Sequence, residues 1–351
     1  MKKTSLLILL FSLSFSAQTD ARLYDIINNV SAERIKSDIK TLTEFGTRNT
    51  FSDTISNTHG IGAARRWIKS EFEKISENCG NCINTFYQKD FVTKKGNRRV
   101  PHDAWVVNVV AIQKGTKYPN KYIIMSGDID SRASDTMDFT TDAPGANDNA
   151  SGMAGTIEAA RVLSKYKFEN SIIYVGLSGE EQGLFGSGHV VAEAVKAGSI
   201  DYIKYMMNLD MAGKPVGMNA GGQLNDENFF KELGATIQQQ DSIFKNTFSN
   251  RSGLHSDHQP FMLEGVPILS VHSNLDRSIY GCYHSDCDDF DLVNEDHITN
   301  TARFGTMILY GLANADTLPA TKMDSETTKE FMIKNNLKEK LIIGGDWKWE
   351  E

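Results

Sequence analysis

The sequence predicts a single α/β domain with a mixed, mostly parallel central sheet and helices on both faces. Short apolar runs typical of buried strands alternate with segments of helical periodicity along the chain. Such alternation favours parallel strand pairs, because each intervening helix returns the chain across a face of the sheet. The length of 351 residues, with 40% apolar and 23% charged residues, suits one large globular domain, and two smaller domains are the alternative.

Local patterns predict each helix and strand in chain order. Ser31 can cap a helix over residues 31–45, which carries its apolar residues on one face and is followed by Gly46. A second helix is predicted over residues 63–75, with Trp67 and Phe72 facing inward. The predicted strands are residues 106–112, 122–125, 171–177, 202–209 and 267–271. The later predicted helices are residues 151–164, 188–197 and 296–312.

The first 17 residues have the pattern of a secretory signal peptide. Lys2 and Lys3 precede an apolar run over residues 6–15, and small residues follow it. The run is short for a permanent membrane anchor, although a retained N-terminal anchor is the alternative. We therefore expect an exported protein, periplasmic or extracellular, without a stable membrane anchor. The main domain would occupy residues 18–320, followed by a polar C-terminal extension over residues 321–351.

The four cysteines are expected to form two disulfides, because an even number in an exported protein is typical of an oxidising compartment. Of the three connectivities we favour Cys79–Cys82 with Cys282–Cys287. In a cytosolic protein the C-x-x-C pair would instead indicate a redox or zinc site, and the signal peptide argues against that interpretation.

The charge pattern argues against nucleic acid as a partner. The formal net charge is −8, and acidic and basic residues are mixed along the chain without a long basic run. The oligomeric state is not specified by any feature of the sequence.

Acidic residues follow the ends of several predicted strands. Ligands of an open parallel sheet bind beyond the carboxyl ends of its strands, and carboxylates gathered there repel one another unless a cation lies between them. Taken singly, Asp148 could cap a helix, and His284 could be an ordinary surface residue. Together, these oxygens and nitrogens are donors that a divalent metal requires. The candidates are Asp128, Asp130, Asp148, Glu180, Glu181, Asp210, Asp257, His258 and His284.

Four segments resemble motifs of the bacterial di-zinc aminopeptidases, metallopeptidase family twenty-eight, in order and spacing over about residues 30–315. The segments are Pro144-Gly-Ala-Asn-Asp-Asn-Ala-Ser-Gly152, Gly179-Glu-Glu-Gln-Gly-Leu-Phe-Gly-Ser187, Asn208-Leu-Asp-Met-Ala-Gly213 and Ser256-Asp-His-Gln-Pro-Phe261. The resemblance implies the zinc-exopeptidase fold, similar to phosphorylase/hydrolase folds. It also implies an aminopeptidase that acts on peptides with a free N-terminus and uses two divalent metal ions, expected to be zinc.

The resemblance further implies a role for each metal ligand. Asp148 would bridge the two ions, Glu181 and His284 would complete one site, and Asp210 would belong to the other. The family has a histidine where this chain has Asp128, so Asp128 would replace that imidazole as a ligand.

The same resemblance implies roles for residues around the ligands. Glu180 would be the general base, and Tyr283 would steady the oxyanion of the tetrahedral intermediate. Asp257 and His258 would support the ligands, and Asp130 would orient the ligand of the first motif, Asp128.

The substitution at Asp128 has chemical consequences. Four carboxylate ligands would neutralise two divalent ions, so the pull on a bridging water should weaken and its pKa should rise. Carboxylate also favours harder ions such as manganese. We therefore expect easier metal exchange and a more alkaline optimum.

Two alternatives follow from the same substitution. The first site could stay empty, leaving one metal on Asp148, Glu181 and His284, as in the related glutaminyl cyclases, which cyclise N-terminal glutamine. The chain could instead be a catalytically silent binding module, although the retained Glu180 argues against a degraded site.

Overall fold

A computed structural model of the chain describes residues 21–214, 216–221, 223–224, 248–249, 256–273, 281–316 and 318–350. These residues form an α/β fold with one eight-stranded mixed sheet covered by helices on both faces, as predicted. The signal peptide predicted over residues 1–17 lies outside the described residues. Within the described ranges, no helix combines the length and the hydropathy needed to span a bilayer.

The central strands of the sheet run parallel, antiparallel pairs flank them on both sides, and the last pair, β6–β8, is parallel. The strand order is β1-β2-β4-β3-β5-β9-β6-β8, and β7 pairs separately with β10. Parallel pairing joins β4, β3, β5 and β9, whereas β1–β2, β2–β4 and β6–β9 are antiparallel. The strands are β1 Ile83–Val92, β2 Ala104–Gln113, β3 Tyr118–Asp128, β4 Asn170–Leu177, β5 Ile203–Asp210, β6 Val216–Gly221, β7 Gln223–Leu224, β8 Phe248–Ser249, β9 Ile268–Ser273 and β10 Ala320–Thr321.

All five predicted strands are present as β2, β3, β4, β5 and β9, and all five predicted helices are present as well. Strand β1 was not predicted, because it lies at the sheet edge and alternates exposed with partly buried residues instead of forming an apolar run. The helices are α1 Ala21–Asn29, α2 Ala32–Glu44, α3 Gly60–Asn78, α4 Ser151–Leu163, α5 Phe185–Lys196, α6 His258–Leu263, α7 Glu295–Asn314, α8 Ser325–Lys334 and α9 Lys338–Gly344.

Two apolar cores lie on opposite faces of the sheet. Successive side chains of a strand point to opposite faces, so Ile123 and Met125 of β3 join one core while Ile124 joins the other. Helices α1 to α4 and α7 pack into the first core. Helices α5, α6, α8 and α9 pack into the second. Because helices cover both faces of the sheet, a ligand can reach it only at the ends of the strands, where the loops lie.

Both predicted disulfides are present. Cys79 is bonded to Cys82 immediately after α3, and Cys282 is bonded to Cys287. The described part of the chain contains no free cysteine. The second disulfide closes a short loop that contains Tyr283 and His284, so it restricts the backbone at two of the predicted site residues.

The last described residues pack onto the domain. Helices α8 and α9 follow the short strand β10, and Met332 of α8, Leu341 of α9 and Leu337 between them are buried in the second core. The charged side chains in this segment are exposed or partly exposed, whereas Thr328 is buried. The boundary at residue 320 stays a prediction.

Candidate metal centre

The acidic residues lie at the carboxyl edge of the central strands. Asp128 is the last residue of β3, Asp210 is the last residue of β5, and Glu180 and Glu181 follow β4 by a short turn. Asp128 pairs in register with Leu177, the last residue of β4. The strand ends therefore lie side by side, as expected for ligand-binding loops of a parallel sheet.

Three side chains converge at this edge. His284 Nε2 lies 3.2 Å from Asp148 Oδ2 and 3.1 Å from Glu181 Oε2. One ligand atom from each of the three residues lies within 4.8 Å of the other two. Asp148 and Glu181 are buried, with 7% and 4% of their surfaces exposed. Within the part of the chain that the structure describes, this is the one group of three with metal-binding spacing.

The pKa shifts of these groups reflect how closely the acids and the imidazole are gathered. Burial alone lowers the pKa of His284, but the carboxylates of Asp148 and Glu181 outweigh burial and raise it to about 9. Burial raises the pKa of Asp148, and the charge of Glu181 raises it further. The imidazolium therefore supplies a positive charge at the point where a metal ion could supply one.

The donor set fits a zinc ion. Two carboxylates and an imidazole are ligands of catalytic zinc sites, which use three protein ligands and keep a further position open. Glu181 Oε1 and Asp128 Oδ2 are buried and accept no hydrogen bond from a described residue. A buried carboxylate oxygen without a partner is unfavourable, and a bound cation would satisfy it.

Asp128 and Asp210 lie near this group but do not belong to it. Asp128 Oδ1 accepts a hydrogen bond from the side-chain amide of Asn149, which also donates to Leu209 O at 2.9 Å. Asp210 Oδ2 accepts from the Ser256 hydroxyl at 2.7 Å. Burial raises the pKa of Asp128, and the charge of Asp210 raises it further.

The hydrogen bonds of Asp130 join it to the turn after β4 and to Thr50, and its expected role in orienting Asp128 stays a prediction. Its carboxylate accepts from the backbone N–H groups of Gly179, Glu180 and Glu181, at 2.8, 3.3 and 3.4 Å. Thr50 Oγ1 donates to it at 2.6 Å. Asp130 therefore holds the turn that carries the two glutamates. These partners come from distant parts of the chain, so the residues next to Asp130 in the sequence do not indicate them.

The two residues expected to act on the substrate flank the converging group. Glu180 is partly exposed beside Glu181, and its pKa is raised by burial of its carboxyl group and then by the charge of Glu181. The Tyr283 ring packs on the His284 ring with centroids 3.5 Å apart. Burial and the nearby Asp148 carboxylate raise the pKa of Tyr283, so its hydroxyl keeps its proton.

The two residues expected to support the ligands lie at the start of α6. Asp257 immediately precedes the helix and is fully buried, and His258 is its first residue, 3% exposed. Burial raises the pKa of Asp257, and the charges of Asp130 and Asp210 raise it further. Asp257 thus belongs to the same cluster of acids, although it is not in the converging group.

Comparison with known proteins decides the family. Residues 108–308, more than half of the chain, match the sequence model of a protein family described as Peptidase family M28. The chain belongs to peptidase family M28. It is therefore a member of a zinc metallopeptidase family, and the matched residues include Asp148, Glu181 and His284, the whole converging group.

Individual relatives agree with this assignment. A protein of the fungus Pyrenophora tritici-repentis (strain Pt-1C-BFP), named "probable zinc metalloprotease", is 30% identical over 372 residues, covering 90% of this chain and 75% of that protein. The LapA aminopeptidase of Legionella pneumophila has a TM-score of 0.65 at 21% identity, covering 90% of this chain and 81% of that one. A glutaminyl cyclase of an Acidobacteriales bacterium has a TM-score of 0.59 at 18% identity, covering 80% and 94%. At these identities, the two solved structures show the fold.

In this M28 peptidase, several residues that hold the side chains or backbone of the metal centre in place were not predicted from the sequence. Arg132 Nε lies 2.8 Å from Glu181 Oε2. Asp288 accepts from the backbone N–H groups of Asn147 and Asp148, at 2.8 and 2.9 Å. Arg132 shares the strand-end segment of Asp128, and Asp288 follows His284 by four residues, so both lay close to motifs already recognised.

Arg48 was missed without any local signal. Its side chain is fully buried, and it donates to Ile129 O at 2.9 Å and to Gly145 O at 3.0 Å. It thereby joins the loop after β3 to the segment that precedes Asp148. Its sequence neighbours contain no motif, because its role depends entirely on carbonyl groups about 80 to 100 residues further along the chain.

Proposed function

We propose that this M28 peptidase is an exported aminopeptidase that hydrolyses the N-terminal peptide bond of peptides. The observation that carries the proposal is the convergence of Asp148, Glu181 and His284 next to Glu180 at the carboxyl edge of the sheet. The likeness to the LapA aminopeptidase fold supports the choice of an exopeptidase that acts at the N-terminus. The substrate partner is a peptide with a free N-terminus.

Two divalent ions are part of the proposal. Asp148, Glu181 and His284 would hold one ion, and Asp128 and Asp210 would hold the second with Asp148 shared. The position of Asp128 and Asp210 at the ends of the paired strands β3 and β5 supports the second position. When bound, such ions lower the pKa of water and polarise a carbonyl group.

The chain's own residues would then perform the proton transfers. Glu180 takes the proton of the attacking water and delivers it to the leaving amine, a role worth typically about 10²–10⁴-fold in rate. Tyr283 retains its proton and can donate a hydrogen bond to the carbonyl oxygen as negative charge develops there. Asp130 keeps Glu180 in place through the backbone of its turn.

The test combines metal analysis with a substitution. Zinc-loaded protein should release amine from an aminoacyl chromogenic substrate, and chelation should abolish the activity. Glu180→Gln should lower kcat by about 10²–10⁴-fold while the metal content per chain stays unchanged, because Glu180 is not a ligand. Glu193→Gln on the exposed surface of α5 is the matched control and should retain full activity. Activity that survives both chelation and Glu180→Gln would contradict the proposal.

A one-metal glutaminyl cyclotransferase is the second candidate function. The converging group could hold a single ion, and the fold of the Acidobacteriales glutaminyl cyclase is similar. Ammonia release with ring closure from an N-terminal glutaminyl peptide, together with one metal per chain, would favour this candidate. Absence of both activities in metal-loaded protein would favour a catalytically silent binding role.

A further inference from the structure

A pocket of about 520 Å³ is lined by residues of α3, β1 and β2 and of the segment before α3. The volume is in the range of small-molecule sites. Strand β2 is antiparallel to β4, so its first residue, Ala104, lies at the same edge of the sheet as the end of β4. The converging acids follow the centre of that edge, and β1 lies three strand spacings from β3, or roughly 14 Å.

Aromatic rings form the walls of this pocket. Phe91 and Trp105 are directly paired across β1 and β2, with ring centroids 5.1 Å apart. They are 48% and 55% exposed, although large apolar rings normally gain stability from burial. On the other side, the His102 ring lies between Phe51 and Phe139, at centroid distances of 5.5 and 5.1 Å. The pocket therefore offers stacking surfaces to an apolar group.

Arg65 is the unneutralised cation of this pocket. It lines the pocket from the second turn of α3, is half-buried, and makes no side-chain hydrogen bond or ion pair with another described residue. Burial lowers its pKa, Arg66 lowers it further, and only Tyr87 among the described groups raises it. A half-buried guanidinium without an acidic partner gains from an anion that reaches it.

Two carboxylates also line the pocket, but both are exposed and already bonded to the backbone. Asp53 accepts from the N–H groups of Ile55 and Ser56, at 2.6 and 3.0 Å. Asp103 accepts from Lys94 N at 2.8 Å. Solvent screens such exposed charges far more than it screens Arg65. The pocket thus combines a half-buried cation, aromatic walls and an acidic rim.

We propose that this pocket binds an apolar organic carboxylate, with the carboxylate on Arg65 and the apolar group among the aromatic rings. The same chemistry occurs in a free apolar amino acid and at the C-terminal end of a peptide. The pocket is distinct from the metal centre, and the proposal does not depend on the proposed aminopeptidase activity.

The test measures binding by calorimetry on the full metal-loaded protein. N-acetyl-L-phenylalanine should bind at one site, whereas N-acetyl-L-phenylalaninamide, which lacks the carboxylate, and acetate, which lacks the ring, should not. An aminoacyl hydroxamate that occupies the metal centre should leave this binding unchanged. L-phenylalanine is measured in parallel to identify the natural ligand. Binding of the acetylated probe indicates that the ligand is the C-terminal end of a peptide, whereas binding of L-phenylalanine alone indicates a free amino acid.

Variants assign the binding to the pocket. Arg65→Gln and Trp105→Ala should each weaken binding about tenfold or more, and Arg65→Gln should leave amine release unchanged. Arg98→Gln removes an exposed arginine outside the pocket and should bind like the unaltered protein. Thermal unfolding verifies that each variant is folded. The proposal would be overturned if N-acetyl-L-phenylalaninamide bound as well as the acid, or if the hydroxamate displaced the acid. It would also be overturned if neither N-acetyl-L-phenylalanine nor L-phenylalanine bound, or if both variants kept the affinity of the unaltered protein.

Discussion

His284 shows at the level of a single residue how the site depends on charge. Its ring lies between two carboxylates that also repel each other, and Arg132 adds a second cation on the outer side of Glu181. Each residue stabilises the charged form of its neighbour. Positive charge among the acids therefore offsets part of their mutual repulsion.

This arrangement predicts how the stability of the metal-free protein depends on pH. The pKa of His284 is raised to about 9 in the folded chain, so its contribution is complete below the unfolded value of about 6.5 and disappears as pH rises through about 9. The raised pKa of Asp148 acts with the same sign. Urea unfolding of chelated protein should show a loss on the order of 3 kcal/mol over that interval.

The control for this prediction uses a second histidine. His284→Gln should flatten the pH dependence, whereas His189→Gln should preserve it, because His189 lies 3.7 Å from a single, partly exposed carboxylate. A pH dependence that persists unchanged in His284→Gln would contradict the assignment.

The second prediction for a single residue concerns the effect of Asp128 on metal preference and on the pH optimum. The motif resemblance implies that its carboxylate replaces an imidazole of the family, and this carboxyl group lies in a buried cluster of acids. Asp128→His should therefore shift the preferred ion towards zinc and move the activity optimum to lower pH. Reconstitution of metal-free protein with each ion, followed by pH–rate profiles, measures both effects. Identical preferences and profiles for the two proteins would show that Asp128 does not tune the metal.

At the scale of elements, the site is assembled from turns and loops that follow rigid strands. The turn after β4 is held by Asp130, and the segment before α4 is held by Asp288. The loop that carries His284 is short and closed by a disulfide. Each ligand thus comes from a different segment, and each segment is fixed by its own contacts.

The Cys282–Cys287 disulfide predicts a local effect on the site. Replacing both cysteines by serine should weaken metal binding about tenfold, because the backbone that positions Tyr283 and His284 becomes less restricted. The pair Cys79 and Cys82, which follows α3 away from the acids, provides the matched control. Metal titration and kcat measurements on the two double variants test the difference. Equal effects of both double variants would indicate a general loss of stability.

At the scale of the whole molecule, the second core depends on the last part of the chain. Leu341 of α9 is 1% exposed, whereas Ile343 two residues later is 87% exposed. Leu341→Ala should lower the free energy of unfolding by about 2–5 kcal/mol, because it removes a buried side chain. Ile343→Ala should change it by no more than about 0.5 kcal/mol. Denaturant unfolding of the two variants measures this, and similar values would mean that α9 does not stabilise the domain.

The sequence alone predicted most of the fold, because helical and strand periodicity is a property of adjacent residues. Strands β2, β3, β4, β5 and β9 were found from apolar runs, and the acids after them indicated the edge where the site lies. Strand β1 escaped because an edge strand buries only part of each face. The converging group of Asp148, Glu181 and His284 was also among the predicted ligands.

The tertiary structure decided which of these acids meet and what surrounds them. Asp130 contacts a turn 49 residues away, and Asp288 contacts the backbone of Asp148 across 140 residues. Arg65 and Trp105 likewise line one pocket although 40 positions separate them. Periodicity is local and can be recognised in a window of sequence, whereas hydrogen bonds and pockets depend on how distant segments pack. The amino-acid sequence alone therefore determines the strands and the acids that follow them. Only the folded chain determines which side-chain atoms come into contact.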